Sequence, residues 1–268
     1  MKLSFVLSTQ PTQFAAVAFS PDLDPQLAHL ASLGYDGAEL AVREPAKLDV
    51  DAIKQMLTTH HLSAPAFGTG QAYVEEHLSF TDPDPAIRTR AIERVESHIA
   101  LAQQFDALVI LGLIRGKVQP GIAREQANAW MVDALKSLTQ TAQSKNVRLV
   151  LEPINRYETD LINSAADALE VIQQVGADNL GILFDTFHAN IEEPSIQVSL
   201  RVCGRHLFHV HAADSNRWFP GAGHTDFARV ITTLREMKYA GWVSAEILPK
   251  PDVKRAAEQT MRTMKPLL

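Results

Sequence analysis

Short β-rich runs of mostly apolar residues recur eight times along the 268-residue chain, and longer segments with helical periodicity separate them. This strict alternation predicts parallel strands whose C-terminal ends lie on one face. Eight units favour a closed (β/α)8 TIM barrel over an open sheet, because the last unit then packs against the first and leaves no free edge. The predicted strands are residues 3–8, 38–42, 64–68, 108–114, 148–153, 180–185, 207–212 and 242–248.

The chain has the length of one such barrel and contains no evident linker, so we expect a single α/β domain over residues 1–268. Helix caps are predicted at Asp24, Asp84 and Ser164, each of which directly precedes a proline or a helical segment. The connection 68–84 is unusually long. Because it follows a strand, it should overhang the mouth of the barrel as a functional loop.

Four of the predicted strands carry a potential metal ligand at or near their C-terminal end. Glu152 ends the run LVLE, Asp185 closes LGILFD, His211 closes LFHVH and Glu246 closes WVSAE. A single acidic residue at a strand end is more often a helix cap or an ion-pair partner than a ligand. Four such residues on successive parallel strands converge on one face of a barrel, so together they predict one metal site.

The ligand types of this site indicate which ion it would bind. Three carboxylates and one imidazole are ligands for a hard-to-borderline divalent cation. They differ from the thiol-rich ligand set of a structural zinc site. We therefore expect one divalent ion per chain, with Mn²⁺ as the first expectation and Mg²⁺, Co²⁺ or Zn²⁺ as alternatives.

A second group of polar residues follows the same strand ends in sequence. Glu158 comes six residues after Glu152, His188 three after Asp185, and Arg217 six after His211, so each can reach back over the pocket from a loop. These three side chains are predicted to bind substrate oxygens, against the alternatives of a surface ion pair or a capped loop. His209 shares a strand face with His211, and it is predicted to be a hydrogen-bonded core histidine.

The strings LEPINRYE, DTFHANIEE, HVHAADSNRWFPGAGHTDF and AEIL carry a resemblance that extends over essentially the whole chain. The sequence resembles the xylose-isomerase-like sugar isomerases and epimerases, specifically the D-tagatose 3-epimerase branch. The resemblance implies that the four strand-end residues hold Mn²⁺ or a similar ion. It also implies that Glu152 and Glu246 move the proton, and that Glu158, His188 and Arg217 contact the substrate.

Three other strings, AVREP, GTGQAYVEEHLSFTDPD and ILGLIRG, resemble more closely a subgroup containing 5-keto-L-gluconate epimerase, which acts on a keto-sugar acid. Arg43 and Arg115 lie in two of these strings, just after predicted strands. A guanidinium at the barrel mouth can bind a carboxylate through two hydrogen bonds, so both arginines are predicted to bind the acid group of the substrate. Ion pairing with Glu44 or Glu75 is the alternative for each of them.

The predicted reaction is epimerisation of a keto-sugar acid through a cis-enediolate, with two glutamates as acid and base. A ketohexose 3-epimerase and an aldose–ketose isomerase, including the hydroxypyruvate isomerase type, need similar residues and remain open. An endonuclease-IV-like DNA repair enzyme is disfavoured, because its three-metal cluster needs further histidines where this chain has AFGTG and ILGLIRG. A carbohydrate-binding barrel without catalysis is the remaining alternative.

Composition limits the partners of the protein. The formal charge is −6 and the sequence pI about 5.9, which disfavours binding to nucleic acid. The lone Cys203 cannot form an internal disulfide, and no apolar stretch is long enough for a membrane span. We therefore expect a cytoplasmic enzyme whose partner is a small sugar or sugar acid. Whether it forms a homo-oligomer, as a dimer or tetramer, is left open by the sequence.

Overall fold

The computed structural model describes residues 1–268 and confirms the predicted (β/α)8 barrel. Eight parallel strands form a ring in chain order, and pairing of the first with the last closes it. A ninth, two-residue strand, β2, pairs with the end of β1 beyond the residues that pair with β9. The strands are β1 Lys2–Ser8, β2 Ala18–Phe19, β3 Gly37–Ala41, β4 Ala66–Gly68, β5 Leu108–Leu111, β6 Leu149–Leu151, β7 Leu180–Asp185, β8 Leu207–His211 and β9 Trp242–Ala245.

Ten α-helices surround the barrel or lie in its connections, and no helix combines the length and apolarity needed to cross a membrane. The helices are α1 Asp24–Leu33, α2 Val50–Thr59, α3 Gly70–Glu76, α4 Pro85–Gln103, α5 Arg124–Ser144, α6 Ala165–Val175, α7 Thr186–Glu192, α8 Ile196–Cys203, α9 Phe227–Glu236 and α10 Val253–Met264.

Two of the three predicted helix caps are present. Asp84 accepts a hydrogen bond from the backbone of α4, and Ser164 forms a capping box with Asp167 at the start of α6. The cap predicted at Asp24 is wrong, because α1 already begins at this residue and no side chain caps it. The carboxylate of Asp24 instead lies 2.8 Å from Nε2 of His60, the residue after α2, so it joins α1 to the end of α2.

All eight predicted barrel strands exist, although several end earlier than predicted. The run 108–114 stops at Leu111, and residues Leu113–Arg115 form a single 3₁₀ turn. Gly112 between them has φ −89° and ψ −118°, which takes the chain out of the strand. The long connection 68–84 contains α3, which the sequence analysis did not predict.

The interior of the barrel is divided into an apolar part and a polar part. A small cluster of five apolar side chains from β4 to β7 fills one side: Ala66, Leu108, Ile110, Val150 and Leu183. The strands on the other side, β8, β9, β1 and β3, bring buried polar groups together: His209, Ser244, Ser4 and Glu39. The larger core lies between the outer face of the barrel and the helices. Polar groups therefore surround the strands that carry His211 and Glu246.

Candidate active site

The structure brings together the four residues predicted to hold a metal ion. Glu152 directly follows β6, Asp185 and His211 end β7 and β8, and Glu246 directly follows β9. One ligand atom from each lies within 4.8 Å of the others. Nδ1 of His211 is 3.7 Å from Oε1 of Glu152, and 3.9 Å from both Oδ2 of Asp185 and Oε2 of Glu246. These separations are too long for hydrogen bonds.

The donor atoms at the centre of this group fit a divalent cation. Oε1 of Glu152, Oδ2 of Asp185 and Nδ1 of His211 are all buried and have no hydrogen-bond partner in the protein. Buried polar atoms without partners are costly, and several acceptors converging on one point require a positive charge between them. The other oxygen of Asp185 accepts a hydrogen bond from Phe187 at the start of α7, which fixes the carboxylate.

The pKa values of these residues also reflect the burial of several charged groups close together. Burial, together with the nearby carboxylate of Glu246, raises the pKa of Glu152 well above its ordinary value. Burial also raises the pKa of Asp185 to about 6. Burial alone would lower the pKa of His211, but Glu39 and the other carboxylates outweigh it and raise that pKa to about 10. A proton on His211 thus supplies positive charge where a cation would otherwise lie.

Glu39 on β3 is a member of this site that the sequence analysis missed. Its two oxygens lie 3.0 Å from Nε2 of His211 and 2.7 Å from Nε2 of His209, with all three side chains buried. By accepting from Nε2 of His211, Glu39 leaves Nδ1 as the atom that faces the carboxylates. The signal in the sequence is a glutamate inside the otherwise apolar strand GAELA. His209 is the hydrogen-bonded core histidine that was predicted.

His188 and Glu158 lie beside the four-residue group, as their spacing suggested, and Asn155 connects them. Nδ2 of Asn155 lies 2.9 Å from Oε1 of Glu158 and 2.7 Å from Nδ1 of His188. Burial lowers the pKa of His188 well below its ordinary value, so the ring is neutral. With Nδ1 accepting from Asn155, the proton of the ring is on Nε2, 3.9 Å from Glu152 and Asp185.

Arg217 completes the group, held by two carboxylates and two aromatic rings. Its terminal nitrogens donate to Oε1 of Glu158 at 3.1 Å and to Oε2 of Glu246 at 3.2 Å. The guanidinium lies 5.0 Å from the ring centre of Phe187 and 5.6 Å from that of Phe14. Arg217 itself has φ +62°, a left-handed backbone conformation that directs its side chain back over the barrel.

Arg115 does not lie at the barrel mouth as predicted, and Arg43, which follows β3 as predicted, does not line the cavity. Arg115 is fully buried, and its guanidinium donates to the carbonyl oxygens of Gly112, Leu161 and Ile162 at 2.8 to 3.0 Å. It joins the loop after β5 to the loop after β6. Arg43 lies 4.0 Å from Glu76, and neither arginine lines the cavity described next. The 3₁₀ turn after Gly112 directs Arg115 into the protein, which strand position alone does not reveal.

A cavity with about 460 Å³ of empty space opens beside these groups at the C-terminal face of the barrel. Glu152, Glu158, His188, Arg217 and Glu246 line it, together with residues that the sequence analysis did not assign to the site. The additional lining residues are Phe14, Ala41, Gly68, Thr69, Gly70, Gln71, Ile110, Gly112, Leu113 and Ile154. A Cβ atom at Gly112 would lie only 2.7 Å from Oε2 of Glu152, so glycine makes room for the carboxylate.

A closed parallel barrel with a buried acidic and imidazole cluster at its C-terminal face defines a class of enzyme folds, and comparison with known proteins identifies the family. The family model described as the xylose isomerase-like TIM barrel matches residues 27–267. The chain therefore belongs to this family, which confirms the resemblance at the family level. The finer likeness to 5-keto-L-gluconate epimerase remains a prediction.

Relatives and solved structures of this family include several sugar epimerases. An L-ribulose 3-epimerase of Methylomonas sp. is 31% identical over 224 residues, covering 82% of this chain and 76% of the relative. A 3-dehydro-D-guloside 4-epimerase of Escherichia coli is 38% identical over 114 residues, which cover 42% of this chain and 44% of the relative. The crystal structure of a D-allulose 3-epimerase from Methylomonas sp. in complex with D-allulose superimposes with a TM-score of 0.84 at 25% identity, covering 100% of this chain and 97% of that one.

Binding of Mn²⁺ is expected to release protons, because in the metal-free protein the raised pKa of about 10 keeps His211 protonated at neutral pH. Affinity should fall as the pH drops through about 6, where Asp185 takes up a proton. Calorimetry of Mn²⁺ binding in buffers of different ionisation enthalpy measures both effects. The variant His188→Asn is the control and should keep the proton release, since its ring is neutral. Binding without proton release at neutral pH would contradict the site.

Replacing Glu39 with Gln is expected to lower Mn²⁺ affinity by about 10- to 100-fold, because the carboxylate that orients His211 is lost. Competition with a chelator of known affinity measures the change. Glu44→Gln serves as the matched control, since Glu44 pairs with Lys47 away from the barrel interior and should leave the affinity unchanged. An equal effect of the two substitutions would show that Glu39 has no specific role at the site.

Proposed function

We propose that this protein is a divalent-metal-dependent epimerase that inverts the carbon next to the carbonyl of a neutral ketose. The observation that carries the proposal is a pair of glutamates, Glu152 and Glu246, which directly follow β6 and β9, line one cavity and lie beside the same imidazole. Relatives named L-ribulose 3-epimerase and D-psicose 3-epimerase support a carbohydrate epimerase. That is the enzyme class predicted from the sequence.

The residues that would hold the ion are those whose donor atoms converge: Glu152, Asp185, His211 and Glu246. A divalent cation at this point would bind substrate oxygens and stabilise negative charge that develops on them. The carboxylates and the imidazole hold the site in shape through their own partners. Asp185 is fixed by the start of α7, and His211 is fixed by Glu39.

Epimerisation requires that a proton leave one face of a carbon and that another arrive on the opposite face. Glu152 and Glu246 directly follow β6 and β9, which are separated by two strands of the ring, and both line the cavity. A substrate between them has one carboxylate on each side, so one glutamate removes the proton to give an enediolate and the other returns it.

Two further groups are placed to bind the oxygens of the substrate. Nε2 of His188 lies on the side of Glu152 and Asp185, and it can donate its proton to a hydroxyl or carbonyl oxygen of the substrate. Arg217 lies against Glu246 and Glu158, and it can share its protons with an oxygen that becomes negative during the reaction. Asn155 holds His188 and Glu158 in register with each other.

The charges around the cavity favour a neutral substrate over a keto-sugar acid. Neither of the two arginines on which the acid hypothesis rested lines the cavity: Arg115 binds three carbonyl oxygens, and Arg43 lies 4.0 Å from Glu76. Arg217 is the cation of the cavity lining, and two carboxylates already neutralise it. Apart from the divalent ion of the proposed site, a substrate carboxylate would therefore meet no free cationic side chain in the cavity lining.

The alternatives of isomerisation and DNA repair differ in what the cavity must do. An aldose–ketose isomerase would use the same enediolate and return the proton to the neighbouring carbon, so analysis of the products separates the two reactions. DNA repair requires binding of a polyanion, whereas Glu152, Glu158 and Glu246 make the cavity lining acidic. The resemblance of the fold to an AP endonuclease from Brucella melitensis, at 17% identity, concerns architecture alone.

A substrate screen of the Mn²⁺-loaded protein tests the proposal. We expect L-ribulose and D-psicose to be converted to their C3 epimers with kcat/KM at least about tenfold above that for 5-keto-L-gluconate and D-tagaturonate, because the acids lack a free cationic partner. Product NMR identifies the inverted carbon and detects any aldose. Preference for the acids, with Arg43→Met raising KM for the acids alone, would instead establish the keto-sugar acid as substrate.

Changing Glu152 or Glu246 to Gln is expected to lower epimerisation by on the order of 100-fold or more, because the amide keeps an oxygen but cannot carry the proton. Exchange of the substrate C–H in deuterated water should survive in at least one variant, since the other base still works on its own face. Glu236→Gln is the control, as Glu236 pairs with Arg201 at the surface. Full activity of either site variant would remove that glutamate from the mechanism.

A further inference from the structure

Gln71, the second residue of α3, lines the cavity and is 1% exposed. Its Nε2 donates to Oγ of Ser8 at 2.6 Å. Its Oε1 is buried and has no hydrogen-bond partner in the protein. A buried amide oxygen without a donor is costly, and among the residues that line the cavity it is the one unpartnered side-chain atom outside the groups already described.

The orientation of this amide is fixed by the hydrogen bonds of Ser8. Oγ of Ser8 has a single proton, which it donates to the carbonyl oxygen of Gln10 at 2.5 Å. It must therefore accept from Gln71, so the NH₂ group faces Ser8. A rotated amide would place Oε1 against Oγ with no proton between them. Gln71 thus offers its partnerless atom as an acceptor.

The position of Gln71 in the ring determines which part of a substrate it meets. It follows β4, and in the closed order of eight strands β4 lies opposite β8, which ends at His211. The carboxylates that flank the reacting carbon follow β6 and β9. A sugar whose reacting carbon lies between Glu152 and Glu246 therefore extends across the mouth, so that its more distant carbons approach Gln71.

We propose that Oε1 of Gln71 accepts a hydrogen bond from a hydroxyl group on the distal part of the sugar and thereby determines substrate specificity. The inference rests on the proposed ketose epimerase function and deepens it. A hydroxyl is a donor and satisfies the amide oxygen. A carboxylate at the same place is an acceptor, so it repels Oε1, and a deoxy carbon leaves Oε1 unsatisfied. Gln71 selects a polyol end over an acid end.

The test compares wild type and Gln71→Met on D-psicose and its 4-, 5- and 6-deoxy analogues. On D-psicose the substitution should lower kcat/KM by about tenfold, mainly through KM, because the bond is made in both the ground and transition states. On the analogue that lacks the hydroxyl bound by Gln71, the 5- or 6-deoxy sugar, the same substitution should have almost no effect. This non-additivity reports a direct contact and is not produced by a general loss of structure.

Two further variants complete the test. Gln10→Met is the matched control, because Gln10 is also a buried glutamine but both of its amide atoms already bind backbone groups outside the cavity. It should affect all four sugars equally. Ser8→Ala frees the Gln71 amide to rotate, so this variant should lower kcat/KM on D-psicose. It should have no such effect on the deoxy analogue that is insensitive to Gln71→Met.

The outcomes separate the two proposals. Equal losses on all four sugars in Gln71→Met would overturn the role of Gln71 while leaving the epimerase function intact. Absence of epimerisation of D-psicose by the wild-type, Mn²⁺-loaded protein would contradict the proposed neutral-ketose activity and, with it, the specificity assigned to Gln71.

Discussion

The burial of a cluster of like charges is the constraint on which this structure depends. Glu152, Asp185 and Glu246 converge on His211 at the end of the barrel, where the first two are buried and Glu246 is partly buried. Such a cluster is stable only with compensating positive charge, from a proton on the imidazole or from a divalent ion. The need for positive charge accounts for the polar half of the barrel interior, where Glu39 on β3 reaches the imidazole of His211 on β8.

The fold and the centre of the site could be predicted from the sequence because both follow from periodicity. Eight alternating units specify the ring, and residues at strand ends must converge on its C-terminal face. Glu39 was missed because it lies in the middle of a strand, two residues before the end of β3, where an inward-facing acid has no sequence signature beyond its apolar neighbours. α3 was missed because its sequence, GQAYVEE, is short and lacks a side-chain cap.

The long side chains set the limit of sequence-based prediction at this site. Arg115 and Arg217 both follow strand ends, yet one is buried against carbonyl oxygens and the other lines the cavity. The difference lies in the backbone after each strand. A 3₁₀ turn directs Arg115 inward, whereas the positive φ of Arg217 itself directs its side chain over the barrel. Neither conformation is encoded by spacing, so the position of Arg115 after a predicted strand does not determine whether its side chain reaches the cavity.

Asp185 performs two tasks with its two oxygen atoms, and this joins the reaction centre mechanically to a helix. One oxygen lies in the acidic cluster, and the other caps α7, whose third residue is His188. Any displacement of the cluster therefore moves the first turn of α7, and His188 with it. In the proposed reaction, the carboxylate of Asp185 thus keeps His188, which would bind substrate oxygens, in alignment with the glutamates that would transfer the proton.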